Sequence, residues 1–229
     1  MLGYPAEKLI EYAEQHRPDL IVVGAQGLRA TLGILLGGVA QQVVEYACCP
    51  VLVVRAPYRK LTRILLVTDG SSYSQQALET IAGSVNHRRL PLPTDIDLNV
   101  MHVLPPLPST DMLAGAWSMG PEVFARLPVE PSDQARWQIE EECQGQEILD
   151  KAVERLRSAG WDAAGLLHRG DAATEIIEFV KATNVDLIAA GSRGFGQVKA
   201  WLLGSVSRKL VHYAPCSVLI VKSVGTEHA

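Results

Sequence analysis

The sequence predicts an open α/β fold, a parallel sheet with helices on both faces, preceded by a partial copy of the same unit. Three observations carry this expectation. Short runs that are apolar throughout, such as residues 64–67 and 187–190, alternate with longer segments whose apolar residues recur at helical spacing. Strands without polar alternation are what a parallel sheet buried on both faces requires, and the alternation of periods is the βαβ plan. The third observation is a duplication. At a constant offset of 167, Gly3 corresponds to Gly170, Asp19 to Asp186, Gly24 to Gly191, Gly27 to Gly194, Gly37 to Gly204, Tyr46 to Tyr213 and Cys49 to Cys216. Spacing kept without a gap over about fifty residues marks a repeated unit.

Each element follows from its residues. In the first copy Ala6, Leu9, Ile10 and Ala13 give a helix over about 5–15, matched later by Ala173, Ile176, Ile177 and Val180. A strand at 20–23, a glycine-bearing loop, a helix near 38–47 and a strand at 51–54 complete it. Residues 55–61, with Pro57, read as a linker, so the expected division is 1–57, 58–61 and 62–223. The second copy opens with a strand at 64–67 that runs into Asp69-Gly70-Ser71-Ser72, which is turn and helix-cap chemistry. Ala77, Leu78, Ile81, Ala82 and Val85 mark a helix, and residues 98–104 the next strand.

An insertion at 105–135 follows, with prolines at 105, 106, 108, 121, 128 and 131 and with Met112, Trp117 and Met119. So many prolines exclude a regular element between Pro105 and Pro131, leaving a surface loop or, as the sharper alternative, a lid. Leu149, Ala152, Val153 and Leu156 give a longer helix that closes at Gly160. Then come a weaker strand at 163–168, a helix at 172–183, the strand at 187–190, a glycine loop, a helix carrying Val206, Leu210 and Tyr213, and a last strand at 218–221.

Composition limits the function classes. The 229 residues are 48% hydrophobic, enough for a substantial core, and the formal net charge of −4 with no Lys/Arg-rich run argues against a nucleic-acid surface. No apolar stretch approaches the roughly 18 residues that span a bilayer, and the N-terminus lacks the layout of a secretory signal. Cys48, Cys49, Cys143 and Cys216 form neither a CxxC nor a metal spacing, so reduced thiols and a cytoplasmic location are expected.

Chemistry concentrates in Gly191-Ser192-Arg193-Gly194, nine residues, and Gly204-Ser205-Val206. This segment leaves a buried strand and opens a helix, where backbone N–H groups and the helix dipole favour an anion. The glycines allow close backbone approach, Ser205 can cap the helix and offer a hydroxyl to a phosphate, and Arg193 and Lys199 are nearby cations. There is no GxxxxGK[ST], and Lys199 stands where a GxGxxG would need its third glycine. By themselves these glycines can also be read as only turns and a helix start.

The pattern G-x2-G-x9-G-[ST] after an apolar strand, closed by a turn containing Cys216 and a Val-rich strand, resembles the universal stress protein family in its ATP-binding branch. The resemblance covers 62–222 as a whole domain and 3–54 as a partial one, a tandem arrangement with an incomplete first member. It implies a five-stranded parallel sheet ordered 3-2-1-4-5, with ATP, with or without Mg, between the ends of the first and fourth strands. Asp69 matches the family's acidic contact to the nucleoside, and Val67 and Val103 match positions flanking the adenine. Ala190, Gly191, Gly194, Gly204, Ser205 and Val206 match the ribose and phosphate loop. In the first copy Gly38 replaces the hydroxyl residue and no counterpart of Asp69 exists, so that copy should bind no nucleotide by itself.

Other polar residues have structural readings. His102 is expected in the core, His168 and Arg169 solvated at an edge strand, Ser71 and Ser72 as caps, and Asp19 and Asp186 in turns. The function expected is an ATP-binding stress-response regulator acting through nucleotide-dependent conformation or assembly. Hydrolysis should be slow at most, since no general base or dedicated metal ligand can be named. An interaction module without nucleotide dependence, or an adenine-nucleotide enzyme such as an ATP pyrophosphatase, are the alternatives. The family's last strand often pairs with its equal in another domain, so residues 51–54 and 218–221 are expected to meet, within one chain or in a homodimer. The strand at 20–23 lacks the neighbours its counterpart should have, and the chain is therefore expected to be a truncated tandem protein, or one whose missing strands come from a partner.

Overall fold

The computed structural model of the chain describes residues 4–26, 36–57, 60–83, 92–93, 95–107, 131–194 and 203–222. Gly3, Gly27, Val85, Lys199 and the proline-rich stretch from 108 to 130, with Met112, Trp117 and Met119, lie outside these residues. The elements run α1 (Pro5–His16), β1 (Ile21–Gly24), α2 (Gly38–Tyr46), β2 (Val51–Val54), β3 (Arg63–Val67), α3 (Ser72–Ala82) and β4 (Asp97–Leu104). They continue with α4 (Pro131–Ser158), β5 (Ala163–Arg169), α5 (Ala172–Thr183), β6 (Leu187–Gly191), α6 (Ser205–Tyr213) and β7 (Ser217–Val221). The insertion expected to reach 135 ends earlier, because α4 already begins at Pro131, a residue whose fixed φ suits a first helical turn.

The five strands of the second unit pair in the order β5-β4-β3-β6-β7, all parallel, which is the 3-2-1-4-5 order. The sheet does not stop there. β7 pairs antiparallel with β2, and β2 pairs parallel with β1, so both copies share one seven-stranded sheet. Its inner strands bury alternate residues in two cores. Leu65, Met101, Ile188 and Ile220 face α5 and α6, while Ile64, Leu66, Ala189 and Leu219 face α3 and α4. Two covered faces explain why the strands read as unbroken apolar runs.

The duplication is visible in the backbone. Arg17 (φ 45°) and Asn184 (φ 54°) close α1 and α5 in the same left-handed conformation, and Gly37 and Gly204 are the extended N-caps of α2 and α6. The seam pairs Val51 with Ile220, Leu52 with Leu219 and Val53 with Val218. Arg55, expected in a linker, is a clamp across it. Its N–H donates to Ser217 Oγ at 3.2 Å, and its Nη2 donates to the carbonyls of Val211 and His212 at the end of α6, at 2.5 and 3.1 Å.

Lys222, just past β7, donates from Nζ to the Glu45 carbonyl of α2 at 2.8 Å. Burial first, then the nearby Arg193 guanidinium, push its ammonium down to about 8. In the unfolded chain the ordinary value is 10.5, so above pH 8 the native state sheds a proton that the unfolded state keeps. Stability then rises with pH through that window. Burial of Cys216 holds its thiol up at about 12 against an ordinary 9.0, which lowers stability above pH 9. Between pH 8 and 9 the Lys222 effect stands apart from that of Cys216. Urea unfolding should show the gain over this interval, and Lys222→Met should flatten it; an unchanged slope in the variant would refute the assignment.

Candidate functional site

The chain leaves β3 in one direction toward β4 and β5 and returns to its other side for β6 and β7. The carboxyl ends of β3 and β6 are therefore a topological switch point, where open α/β sheets bind ligands. Val67 of β3 lies beside Ala190 of β6 in register, so the turn after each strand opens on the same crevice.

The turn after β3 is built by its own hydrogen bonds. Asp69 Oδ1 accepts from the Ser71 N–H at 3.0 Å, Gly70 takes a φ of 82°, and Ser71 Oγ accepts from the Ser74 N–H at 3.3 Å as the cap of α3. The buried His102 ring contacts the Thr68 carbonyl through Nδ1 at 2.8 Å, in the core position its strand context predicts.

The loop after β6 is held against this turn. The Gly204 N–H donates to the Ser192 carbonyl at 2.8 Å, and Ser207 Oγ donates to the Gly191 carbonyl at 2.7 Å. Arg193 Nη1 donates to Tyr73 Oη at 3.0 Å, with the guanidinium 5.1 Å from the ring centroid. A Cβ built on Gly194 would sit 2.3 Å from Asp69 Oδ2, and one on Gly191 2.6 Å from the Tyr73 carbonyl group. These two glycines let the loop lie directly on the acidic turn.

All ten residues anticipated from sequence line one cavity of about 300 Å³: Val67, Asp69, Val103, Ala190, Gly191, Arg193, Gly194, Gly204, Ser205 and Val206. Sequence reasoning missed Thr68, Ser74, Ala172, Ile176 and Ser207, which also line it. It also missed Tyr73, the rest for Arg193. Ser207 and Thr68 had legible signals, since Ser207 follows Ser205 on the first turn of the same helix and Thr68 stands between Val67 and Asp69; the others are contributed through space.

Two expectations need correction. Ser205 is not the cap of α6: Gly204 holds that position, with no side-chain cap hydrogen bond, which leaves the exposed Ser205 hydroxyl unused by the helix start. Arg169 is not solvated. Its side chain is 20% exposed and pairs with Glu141 at 2.6 Å and Glu142 at 3.4 Å, because α4 runs past the end of β5. His168 likewise meets Glu175 at 3.2 Å. Asp186 keeps a structural role, accepting from the Thr62 and Arg63 N–H groups at 2.9 and 3.0 Å.

A larger cavity, about 390 Å³, lies at the seam between the copies and is lined by Leu52, Arg55, Val180, Cys216 and neighbours. It sits at the amino end of β6 and β7, remote from the glycine loop. Size alone does not make it the site, since convergent polar groups and a helix start distinguish the smaller one.

The molecule is thus a doubly wound α/β protein with a glycine-lined cavity at its switch point. The chain belongs to the universal stress protein family, whose pattern matches residues 2–55 and again 60–222. It is 32% identical over 161 residues to universal stress protein YxiE of Bacillus subtilis, covering 70% of this chain and 98% of that one. A universal stress protein of Mycolicibacterium smegmatis is 27% identical over 208 residues, covering 89% of this chain, and the chain spans 62% of that relative's length. The crystal structure of a universal stress protein from Archaeoglobus fulgidus shares the fold, with a TM-score of 0.57 at 23% identity over 97% of this chain and 68% of that one. No described helix is long and apolar enough to cross a membrane.

Proposed function

We propose that the chain binds ATP, with or without Mg, in the cavity between the ends of β3 and β6. In this reading it acts as a cytoplasmic regulator of the stress-response type. The observation that carries the reading is convergence: an acidic turn, a glycine loop and a helix start from three separate stretches of sequence meet around one cavity. Gly191, Gly194 and Gly204 lie too close to Tyr73, Asp69 and Arg193 for side chains, so the loop meets the cavity as bare backbone, the kind of surface a phosphate chain uses. The amides of Ser205, Val206 and Ser207 precede the first bond of the helical ladder, Arg208 N–H to the Gly204 carbonyl at 2.9 Å, and no acidic residue lies in that turn. In this reading Asp69 meets a ribose hydroxyl, and Val67 and Val103 flank the adenine ring.

The output is a change of conformation or of assembly, including dimerisation, on nucleotide binding, with hydrolysis slow or absent. Denaturing the purified protein and identifying the released nucleotide tests the reading directly. Recovery of adenine nucleotide supports it, and a protein that neither carries nor takes up ATP defeats it. Ser205→Ala should weaken ATP by about 1–2 kcal/mol, the loss of one hydrogen bond to a charged group. Equal affinity in that variant, measured by calorimetry, would remove Ser205 from the site.

A further inference from the structure

Tyr73 touches the glycine loop twice. Its main chain lies against Gly191, where a built Cβ would sit 2.6 Å from the Tyr73 carbonyl group. Its side chain meets Arg193, whose Nη1 donates to Tyr73 Oη at 3.0 Å with the guanidinium 5.1 Å from the ring centroid, within the range of a cation–π contact. The ring is carried on the first turn of α3, which is fixed by Asp69 accepting from the Ser71 N–H and by Ser71 accepting from the Ser74 N–H. A long, rotamer-rich side chain is thus tied at its far end to a rigid element.

The two helix starts at the crevice differ. That of α3 is closed by its own side chain, the Ser71 cap. That of α6 has no side-chain cap hydrogen bond and no acidic residue in its first turn, which leaves its amides for an anion. Arg193 begins beside this second start, since a Cβ on Gly204 would sit 3.2 Å from Arg193 Cα. From there its side chain crosses to Tyr73 on α3. Residues of the α6 start and Arg193 line the same cavity, so it has two anion points held by different elements.

The chemistry of the partner matters. Lys209, one turn along α6 from Ser205, pairs with the Asp171 carboxylate at 3.2 Å, which offsets its charge. A phenol oxygen accepts a hydrogen bond and carries no charge. The contact with Tyr73 therefore orients the Arg193 guanidinium and removes none of its positive charge.

We propose that Tyr73 is a positioning residue that makes the cavity select a phosphate chain, a nucleoside di- or triphosphate over a monophosphate, by holding Arg193 as the second anion point. This rests on the nucleotide reading above. A single phosphate seated on α6 meets the amides alone. A chain of phosphates reaches the guanidinium as well, with the arginine already ordered for it.

Calorimetry of the full chain with ATP and with AMP tests the inference. The parent should bind ATP at least about tenfold more tightly than AMP. Tyr73→Phe keeps the ring and loses the hydroxyl, and should weaken ATP about threefold. Tyr73→Leu loses both contacts and should weaken ATP about tenfold. In both variants AMP affinity should stay within about twofold of the parent, at an unchanged melting temperature. In an Arg193→Met background, Tyr73→Leu should weaken ATP no further, because the two residues act as one unit. Unchanged ATP affinity in Tyr73→Leu, an equal loss of ATP and AMP in both variants, or a parent without preference between the two nucleotides would each overturn the inference and leave the nucleotide site standing. A parent that binds neither nucleotide removes the site and this inference together.

Discussion

Gly191→Ala is expected to destabilise the protein by about 2–3 kcal/mol, at the upper part of the range for overpacking a tight site. The added Cβ meets backbone, the Tyr73 carbonyl group at 2.6 Å and the Ser74 nitrogen at 2.8 Å, so no side-chain rotation relieves it. Either α3 must lift from the sheet or the end of β6 must move. Both elements line the cavity, so ATP affinity should fall with stability. Gly38→Ala is the control, because a Cβ there has nothing within 4 Å. Urea denaturation decides the matter, and a Gly191→Ala protein within about 0.5 kcal/mol of the parent would mean that the close approach of α3 is wrong.

Gly194→Val should separate binding from folding. Its Cβ would collide with Asp69 Oδ2 at 2.3 Å, the end of a half-buried side chain that can swing away for the loss of one hydrogen bond, the Ser71 N–H to Oδ1, about 1 kcal/mol. Swinging away removes the carboxylate from the cavity and puts a branched side chain where the phosphates would approach. We expect ATP affinity to fall at least tenfold, about 1.4 kcal/mol or more, with the melting temperature little changed. Calorimetry giving parental affinity would defeat the site assignment.

Much of this was legible before any coordinates. Apolar periodicity is local, and so the boundaries of α5 and β2 coincide with the expected ones and β1 differs by a single residue. The ten anticipated residues come together because they sit at strand ends and helix starts, positions that the order of elements fixes once the sheet is parallel. What reading along the chain missed was contributed across it. Tyr73 reaches Arg193 over 120 positions, and Arg169 meets Glu141 only because α4 is long enough to overlie the end of β5. The cap of α6 was misplaced by one residue, since Gly204 and Ser205 are both acceptable there by residue type and only the backbone angles distinguish them.

The sequence by itself determined the α/β alternation, the duplication and the place of the candidate site, because these follow from residue spacing and from which glycines break it. It left open whether the two last strands would meet in one chain or between two. Tertiary structure decided that β2 turns back antiparallel onto β7 and joins the two copies into one sheet, clamped by Arg55. Among the described residues β1 stands at the edge of that sheet. An apolar strand carries no mark of which equal it will pair with, and the choice falls to the reach of the connecting chain and to the faces that neighbouring helices can cover.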